Sequence, residues 1–211
     1  NSAPLTDGAS AVLLASEDWA RERNLPVLAY ITFSEVAAVD FFNKKEGLLM
    51  APAYAVPRML ARAGIALQDF DFYEIHEAFA AQVLCTLKAW EDPKYCKERL
   101  GLDQPLGSID RSKLNINGSS LAAGHPFAAT GGRIVATLAK MLAQKGSGRG
   151  LISICAAGGQ GVGTRRRRIE ERLESAVGER AQCGDRRPGQ FRHRVETDVV
   201  DLVDGGIRLG S

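Results

Sequence analysis

Three short segments of the chain carry residue types that can do acid/base chemistry. They are residues 76–80 (His-Glu-Ala-Phe-Ala), 115–126 (Asn-Ile-Asn-Gly-Ser-Ser-Leu-Ala-Ala-Gly-His-Pro) and 155–161 (Cys-Ala-Ala-Gly-Gly-Gln-Gly). Each segment sets a titratable or hydrogen-bonding group beside small residues, which let a ligand approach the backbone closely. Two histidines and a cysteine on separate turns therefore predict an acid/base site for acyl chemistry.

His125 lies between Gly124 and Pro126, directly after a turn of small residues. An imidazole in this place could deprotonate a thiol, or donate its Nε2 proton to a developing oxyanion. The alternative is a histidine that only caps the helix that follows. The residues around His125 leave both interpretations open.

Cys155 follows an apolar run and precedes Gly158 and Gly159. In a cationic or helix-terminal field its thiol would have a lowered pKa, and it could shuttle protons or attack a carbonyl. A lone cysteine at the end of a buried strand is more often a small core residue. The glycines favour the functional interpretation, because they leave backbone N–H groups free to face a negative charge.

His76 and Glu77 are expected to open a helix after a strand. His76 could hold a water or a polar substrate atom, with Glu77 orienting it. Alternatively, Glu77 is only a favourable acid in the first turn of that helix. Asn115 and Asn117 could be turn formers and nothing more.

Apolar and β-branched runs alternate with segments of helical periodicity. The predicted strands are a buried run that ends at Ser16, then 26–33, 70–75, 114–117 and 151–155. The first predicted helix follows Ser16, which is its N-cap. The other predicted helices cover 53–63 (with Pro57 in the first turn), 77–90 and 127–144, and a loop is predicted over 91–112. This alternation predicts an α/β layered domain, in which sites gather where strands end and helices begin.

The composition is that of a globular protein, with 45% hydrophobic and 25% charged residues. No apolar run approaches the roughly 20 residues that span a bilayer, and the first residues do not resemble a signal peptide. The four cysteines show no CxxC spacing and the three histidines are scattered. We therefore expect a reduced, cytosol-like compartment and no metal site.

Charge is unevenly distributed along the chain. Residues 1–164 contain 8 Lys, 8 Arg and 16 acidic residues, whereas residues 165–211 contain 11 Arg, no Lys and 9 acidic residues. We expect a boundary there, followed by an amphipathic helix that opens with Arg165–Arg168. Further on, the composition predicts disorder over 178–194 and a hairpin within 199–209.

Taken in order, the three segments resemble the motif blocks of the thiolase family, over residues 1–162. The opening stretch (Asn-Ser-Ala-Pro-Leu-Thr-Asp-Gly-Ala) is similar to the family's segment before the last strand of its first half. The resemblance implies the C-terminal half of the α/β thiolase-like layered fold, a mixed sheet between helices, with an incomplete first half. Residues 1–24 would end that first half, residues 25–164 would form the C-terminal thiolase domain, and residues 165–211 would be an Arg-rich tail foreign to the family.

The resemblance also implies a reaction, in which CoA cleaves a 3-ketoacyl-CoA through a covalent acyl-cysteine, or the reverse condensation. His125 would activate the nucleophilic thiol and face the first oxyanion hole. His76 stands where most members have Asn, which holds the water that completes that hole. Cys155 would be the acid/base cysteine, and the backbone N–H of Ala157 would serve the other oxyanion hole. Ser16 would contact CoA, which is a substrate, and no permanently bound cofactor is implied.

His76 together with residues 48–57 (Leu-Leu-Met-Ala-Pro-Ala-Tyr-Ala-Val-Pro) resembles the thiolase subunit of fatty-acid β-oxidation complexes. This implies an acetyl-CoA C-acyltransferase that is cytoplasmic, or mitochondrial in a eukaryote. It also implies a homodimer with a hydratase/dehydrogenase partner subunit. The family's nucleophilic cysteine belongs to the first half, and neither Cys85 nor Cys96 lies in its setting. We therefore expect the chain to be inactive alone. The Arg-rich tail resembles a shifted reading frame or a fusion.

Two other functions stay open on the sequence. The first is a non-catalytic, thiolase-like interaction subunit. The second is nucleic-acid binding through Arg165–Arg168, which the nine acidic residues and the single aromatic residue of the tail, Phe191, disfavour.

Overall fold

The computed structural model describes residues 1–43, 45–168 and 198–201. The strands of this part of the chain are β1 (Leu13–Ser16), β2 (Ala29–Ala38), β3 (Phe72–Ile75), β4 (Gly148–Ala156), β5 (Gln160–Arg168) and β6 (Asp198–Asp201). The helices are α1 (Glu17–Glu22), α2 (Ala51–Ala63), α3 (Ala80–Glu91), α4 (Pro93–Glu98), α5 (Ser120–Ala123) and α6 (Thr130–Lys145). Two 3-10 turns cover Leu67–Asp69 and Arg111–Lys113. None of the helices in the described ranges combines the length and the apolar character that a membrane crossing requires.

The six strands form one mixed sheet in the order β1-β6-β2-β5-β4-β3. Neighbouring strands are antiparallel except β3 and β4, which run parallel with Phe72 opposite Gly150 and Ile75 opposite Ser153. Parallel neighbours end at the same edge of a sheet. The residues that follow β3 and those at the end of β4 are therefore brought side by side.

Helices cover both faces of this sheet, as the alternating pattern predicts. On one face α2 and α3 pack on the strands, and on the other face α6 does. Adjacent residues of β4 enter different cores, Leu151 beneath α2 and α3, and Ile152 beneath α6. A strand buried on both faces reads as a continuous apolar run, which is why β4 is recognisable in the sequence.

Several helix ends follow from local capping. Ser16 is the N-cap of α1 as predicted, and its hydroxyl accepts from the backbone N–H of Trp19 at 3.3 Å. β1 itself is largely exposed, not buried. α2 ends at Gly64, whose φ of 62° is the left-handed conformation that a helix C-cap favours.

Other boundaries differ from the sequence prediction. α2 begins at Ala51, so Pro57 lies in its interior and not in its first turn. The loop predicted over 91–112 contains α4, because Pro93 occupies a first-turn position and Asp92 caps the helix by accepting from Tyr95 N at 2.9 Å. α3 begins only at Ala80.

The prediction of a helix that begins at Arg165 is wrong, because residues 165–168 continue strand β5. β5 pairs with β2 on one side and with β4 on the other, so its backbone is fully used in the sheet. The strand runs across residue 164, and the domain boundary placed there stays a prediction. Within the tail, only Asp198–Asp201 is described again, where β6 pairs with β1 and β2. The stretch predicted to be disordered and most of the predicted hairpin lie outside the described residues.

Candidate active site

His76 and Cys155 are brought to one edge of the sheet by the parallel pair β3 and β4. His76 directly follows Ile75, the last residue of β3, and its backbone N–H donates to the carbonyl of Ser153 at 2.9 Å. Cys155 comes two residues later on β4, one position before that strand ends. The two residues are therefore neighbours along the carboxyl edge, as the sequence predicts.

His125 reaches the same place from a loop between α5 and α6, and not from a strand end. The predicted strand over 114–117 is reduced to a single bridge between Leu114 and Tyr73, because Asn115 adopts a φ of 47° and turns the chain. The ring centroids of His125 and His76 lie 4.4 Å apart with an angle of 46° between the planes. The two predicted histidines are therefore in direct contact.

The N-terminal segment holds His125 in position. The backbone N–H of His125 donates to the carbonyl of Pro4 at 2.8 Å. Gly124 lies so close to the side chain of Thr6 that a Cβ on the glycine would approach Oγ1 of the threonine to 2.5 Å. A cavity of about 300 Å³ opens beside His125, and it is lined by Leu5, Thr6, Asp7, Gly8, His125, Pro126 and Phe127. His76 and Cys155 are not among these lining residues.

His76 is buried, with 2% of its surface exposed. Its Nδ1 lies 2.8 Å from the hydroxyl of Ser120, and that hydroxyl also accepts from Nη2 of Arg133 at 3.1 Å. Burial lowers the pKa of His76 to about 4, and the nearby His125 and Arg133 contribute in the same direction. The imidazole is therefore neutral at neutral pH.

Glu77 neither belongs to the first turn of α3 nor orients His76, so both interpretations of this residue are wrong. Its carboxylate accepts from Nδ2 of Asn115 at 2.7 Å and from the backbone N–H of Leu121 at 3.0 Å. Glu77 thereby fixes α5, which begins with Ser120, against the end of β3. The hydrogen bond to the ring of His76 is made by Ser120.

Asn115 is more than a turn former. Its Oδ1 accepts from the backbone N–H of Ile75 at 2.9 Å, and its Nδ2 donates to the carbonyl of Ile75 at 2.9 Å. One side-chain amide therefore satisfies both backbone groups of the last residue of β3, at the edge of the sheet. This arrangement fixes the backbone that leads into His76, whereas Asn117 is exposed.

His125 is half-buried, and its ring is anchored on one side. Nδ1 lies 2.7 Å from Oγ1 of Thr130, whose hydroxyl donates to the carbonyl of Pro126 at 3.1 Å. Burial lowers the pKa of His125, and the charge of Arg133 lowers it further. His125 does not cap α6 through its side chain, since the N-cap of that helix is Ala129.

Cys155 is buried opposite Gly161 of β5. Burial raises the pKa of its thiol to about 11, so the lowered pKa expected from a cationic or helix-terminal field is wrong. At neutral pH the thiol keeps its proton and can act as a proton donor. Burial of this kind is also what a cysteine with only a core-packing role would show.

The two remaining predicted site residues lie in different surroundings. Ala157 is exposed in the turn between β4 and β5, where Gly158 and Gly159 adopt left-handed φ values of 85° and 75°. Ser16 ends β1, at the edge of the sheet opposite β3, and its hydroxyl caps α1. The structure therefore places Ala157 at the end of β4 near Cys155, but it does not bring Ser16 to the histidine pair.

Sequence reasoning missed the residues that support the histidines. They are the hydroxyl residues Ser120 and Thr130 and the cation Arg133. The buried acid Glu74, on the strand that leads to His76, was also not predicted. Ser120 lies inside the second segment, five residues before His125, and Thr130 follows His125 by five, so proximity in sequence was the available signal. Glu74 has no exposed surface, and neither carboxylate oxygen has a hydrogen-bond partner within the described residues. Within those residues, no group of three or more His, Cys, Asp or Glu side chains is placed to hold a metal ion.

The family model for the C-terminal domain of thiolase matches residues 25–166. The match covers more than half of the chain and contains all three segments of the candidate site. The chain belongs to the thiolase family.

Relatives and solved structures agree with this family. The chain is 48% identical over 162 residues to a 3-ketoacyl-CoA thiolase of Alteromonas mediterranea, and the match covers 77% of this chain and 36% of that protein. The structure superimposes with a TM-score of 0.56 on the acetyl-CoA acetyltransferase of Bacillus anthracis, at 35% identity over 73% of this chain and 34% of the other. It superimposes with a TM-score of 0.57 on human mitochondrial 3-ketoacyl-CoA thiolase in complex with CoA, at 32% identity over 74% of this chain and 34% of the other. The mixed sheet between helices is therefore a thiolase fold, and the chain spans about a third of the length of the proteins it matches.

Proposed function

We propose that this chain is the C-terminal part of a 3-ketoacyl-CoA thiolase, an acetyl-CoA C-acyltransferase that cleaves 3-ketoacyl-CoA with CoA in fatty-acid β-oxidation. The observation that carries the proposal is the contact between the rings of His76 and His125, whose centroids lie 4.4 Å apart. The contact lies at the sheet edge where β4 ends, one residue after Cys155. The names of the similar proteins support thiolase chemistry.

His125 acts as the base that takes the proton of the nucleophilic thiol. Its pKa is lowered, so the imidazole is unprotonated at neutral pH and able to accept that proton. His76 is neutral and buried, and an N–H of its ring stabilises the thioester oxygen as negative charge develops there. The backbone N–H of Ala157 does the same for the tetrahedral intermediate in the second oxyanion hole.

Cys155 supplies the proton that completes cleavage. When the bond between Cα and Cβ of the 3-ketoacyl group breaks, the electron pair stays on the acetyl-CoA fragment as an enolate. The thiol of Cys155 protonates that carbon, and its raised pKa of about 11 keeps the proton available at neutral pH. In the direction of synthesis the same group removes the α-proton.

None of the three cysteines in the described ranges is the proposed nucleophile. Cys85 is exposed on α3 and Cys96 is buried in α4, and Cys155 has the acid/base role. We infer that the nucleophile comes from the part of a thiolase that this chain does not match, and that the 211 residues alone do not catalyse thiolysis.

CoA is the proposed second substrate, and no permanently bound cofactor is needed for these steps. A similar structure has been determined in complex with CoA, which supports this assignment. Ser16 stays the proposed CoA contact. The proposed setting is a cytoplasmic homodimer (mitochondrial in a eukaryote) with a hydratase/dehydrogenase partner subunit, as in β-oxidation complexes.

Complementation tests the proposed function. The chain is purified alone, and also co-expressed with the part of the Alteromonas mediterranea thiolase that lies outside the matched 162 residues. Loss of 3-ketoacyl-CoA in the presence of CoA is followed for both preparations. We expect no turnover from the chain alone and thiolysis from the pair.

Two results would contradict the proposal in different ways. Turnover by the chain alone, at the rate of an intact thiolase, would show that it contains its own nucleophile. A stable complex with the added part, without any thiolysis, would identify a non-catalytic interaction subunit. Size-exclusion chromatography of the same preparations distinguishes the second result from a failure to assemble.

A further inference from the structure

A neutral imidazole carries one ring proton, on Nδ1 or on Nε2. Which nitrogen carries it decides whether the other face of the ring accepts or donates a proton. His76 and His125 are both anchored through Nδ1 to a hydroxyl group, at 2.8 Å and 2.7 Å. Both Nε2 atoms are therefore the nitrogens left for a ligand. The two hydroxyl groups differ in where their own protons can go, and this difference assigns the tautomers.

The proton of the Thr130 hydroxyl is already used. Oγ1 donates to the carbonyl of Pro126, four residues earlier, at 3.1 Å. Threonine hydroxyls commonly bond to the backbone carbonyl four residues before them. A hydroxyl has a single proton, so towards His125 the threonine oxygen can only accept. Nδ1 of His125 therefore carries the ring proton, and Nε2 carries a lone pair.

The Ser120 hydroxyl is in the opposite situation. A guanidinium can only donate, so the contact of 3.1 Å from Nη2 of Arg133 occupies a lone pair of the serine oxygen. Ser120 is fully buried, and the proton of a buried hydroxyl needs an acceptor in the protein. Nδ1 of His76 lies 2.8 Å away and is that acceptor. The cation also polarises the hydroxyl, which makes it a better donor.

We propose that Thr130 and Ser120 are positioning residues that hold the two histidines in opposite tautomers. His125 carries its proton on Nδ1 and presents a basic Nε2, whereas His76 carries its proton on Nε2 and presents a donor. The proposal rests on the proposed function, because it assigns the base and the hydrogen-bond donor of that same site. One ring then accepts the proton of a thiol while its neighbour donates to a developing oxyanion, and neither ring has to change tautomer first.

NMR of the histidine rings tests the proposal on the full chain. The chain contains only three histidines, so ¹⁵N-histidine labelling gives three ring systems, which are assigned with His76→Gln, His125→Gln and His193→Gln. Long-range ¹H–¹⁵N spectra at pH 7.5 show which nitrogen of each ring is protonated. We expect Nδ1–H for His125 and Nε2–H for His76. The same tautomer in both rings, or the reverse assignment, would overturn the proposal.

Variants test which residue fixes each tautomer. Thr130→Val removes the hydroxyl at nearly constant volume and should give His125 a mixture of tautomers, while Thr130→Ser should keep Nδ1–H. Ser120→Ala should give His76 a mixture, while Ser119→Ala, one residue away, should leave it unchanged. Unaltered ring spectra in Thr130→Val and Ser120→Ala would overturn the positioning roles. If a variant does not fold, the wild-type spectrum still decides the tautomers.

These spectra do not require turnover. Opposite tautomers in a chain that never supports thiolysis would leave the proposal intact and remove the proposed function. Thiolysis by a chain whose two histidines have identical tautomers would support the proposed function and overturn the tautomer proposal.

Discussion

Burial shifts the pKa of three side chains in and near the candidate site. It lowers the pKa of His76 to about 4, and it raises the pKa of Cys155 to about 11 and that of Glu74 to about 7. In each case loss of hydration disfavours the charged form. At neutral pH the His76 ring is therefore neutral, and the Cys155 thiol keeps the proton that it has to donate.

His76 should remain neutral in acid well below the range where histidine normally titrates. The ordinary pKa of histidine is 6.5, and the midpoint for His76 should lie near 4. It is measured through the Cε1 proton in NMR spectra from pH 8 to well below pH 4. A midpoint between 6 and 7 would show that the ring is hydrated and would contradict the buried site. His125, which is only half-buried, should titrate at a higher pH than His76.

Glu74 should make the stability of the protein fall as pH rises. Its folded pKa of about 7 exceeds the ordinary 4.5, so the stabilisation by the protonated form is complete below pH 4.5 and is lost as pH rises through 7. Since each pKa step is worth about 1.4 kcal/mol, Glu74→Gln should gain on the order of 3 kcal/mol over wild type between pH 4 and pH 8.

Urea unfolding at several pH values measures this difference. The contribution of His76 runs in the opposite direction, since stability from a depressed pKa is lost as pH falls from 6.5 towards 4, but it is common to both proteins and cancels. The exposed Glu98→Gln serves as control and should show no such trend. A constant difference between Glu74→Gln and wild type at all pH values would contradict a titrating Glu74.

At the residue scale, the sequence identifies His76, His125 and Cys155 because their types and their small neighbours are visible in it. The supporting hydroxyl groups are not visible in the same way. Ser120 becomes a partner of His76, 44 residues away, only in the folded chain. Thr130 is only five residues from His125, but serine or threonine at a helix start is ordinarily a cap. The direction of the Cys155 pKa could not be predicted, because it depends on burial that the fold creates.

Glycines of β5 allow α2 to pack directly on the sheet. A Cβ at Gly161 would lie 2.5 Å from Cδ and 2.6 Å from the backbone N of Pro52. At Gly163 it would approach Cγ2 of Val56 to 3.2 Å. Because Gly161 pairs with Cys155, this close contact also fixes the strand beside the candidate acid.

Gly161→Ala should therefore be destabilising, because the contact is to backbone and a rigid ring that cannot move aside. Overpacking of this kind costs about 1–3 kcal/mol, measured by urea unfolding. Gly131→Ala is the matched control, since a Cβ there meets nothing within 4 Å and alanine favours the helix. Equal stability of the two variants would contradict the packing of α2 on β5.

Arg166 should be a site where an apolar residue stabilises the protein. It is 1% exposed, its Nε and Nη1 lack partners within the described ranges, and burial lowers its pKa to about 10. Replacing such a buried cation by a hydrophobic residue can gain on the order of 1–4 kcal/mol. Arg166→Leu should show that gain in urea unfolding, and the exposed Arg58→Leu should not. A destabilised Arg166→Leu would mean that the guanidinium has a favourable partner.

At the element scale, elements with a strong local pattern were predicted and those set by pairing were not. The apolar stripe of α6 and the apolar run of β4 are both present in the sequence. β5 contains glycines, which are depleted in strands, and ends in a run of arginines. It forms because β2 and β4 both offer it hydrogen-bond partners. The strand predicted at 114–117 does not form, because the side chain of Asn115, and not a backbone ladder, bonds the backbone N–H and carbonyl of Ile75 at the edge of β3.

At the scale of the whole molecule, the candidate site is assembled from segments that are far apart in the chain. The N-terminal segment contacts His125, β3 supplies His76, and β4 supplies Cys155. The arginine run through which nucleic-acid binding stayed open contributes Arg165 and Arg166 to the interior, which does not favour that function. The match to about a third of the length of its relatives agrees with a site that is completed by another part of a thiolase.

The central claim is that His125 and Cys155 act in one thiolysis site. The most direct measurement is kcat for 3-ketoacyl-CoA cleavage by the complemented enzyme, with His125→Ala, Cys155→Ser and, as control, the exposed Cys85→Ser. Loss of a general acid or base should lower kcat by about 10²–10⁴-fold in the first two variants and leave the control unchanged. A loss of tenfold or less in either His125→Ala or Cys155→Ser would contradict the role assigned to that residue.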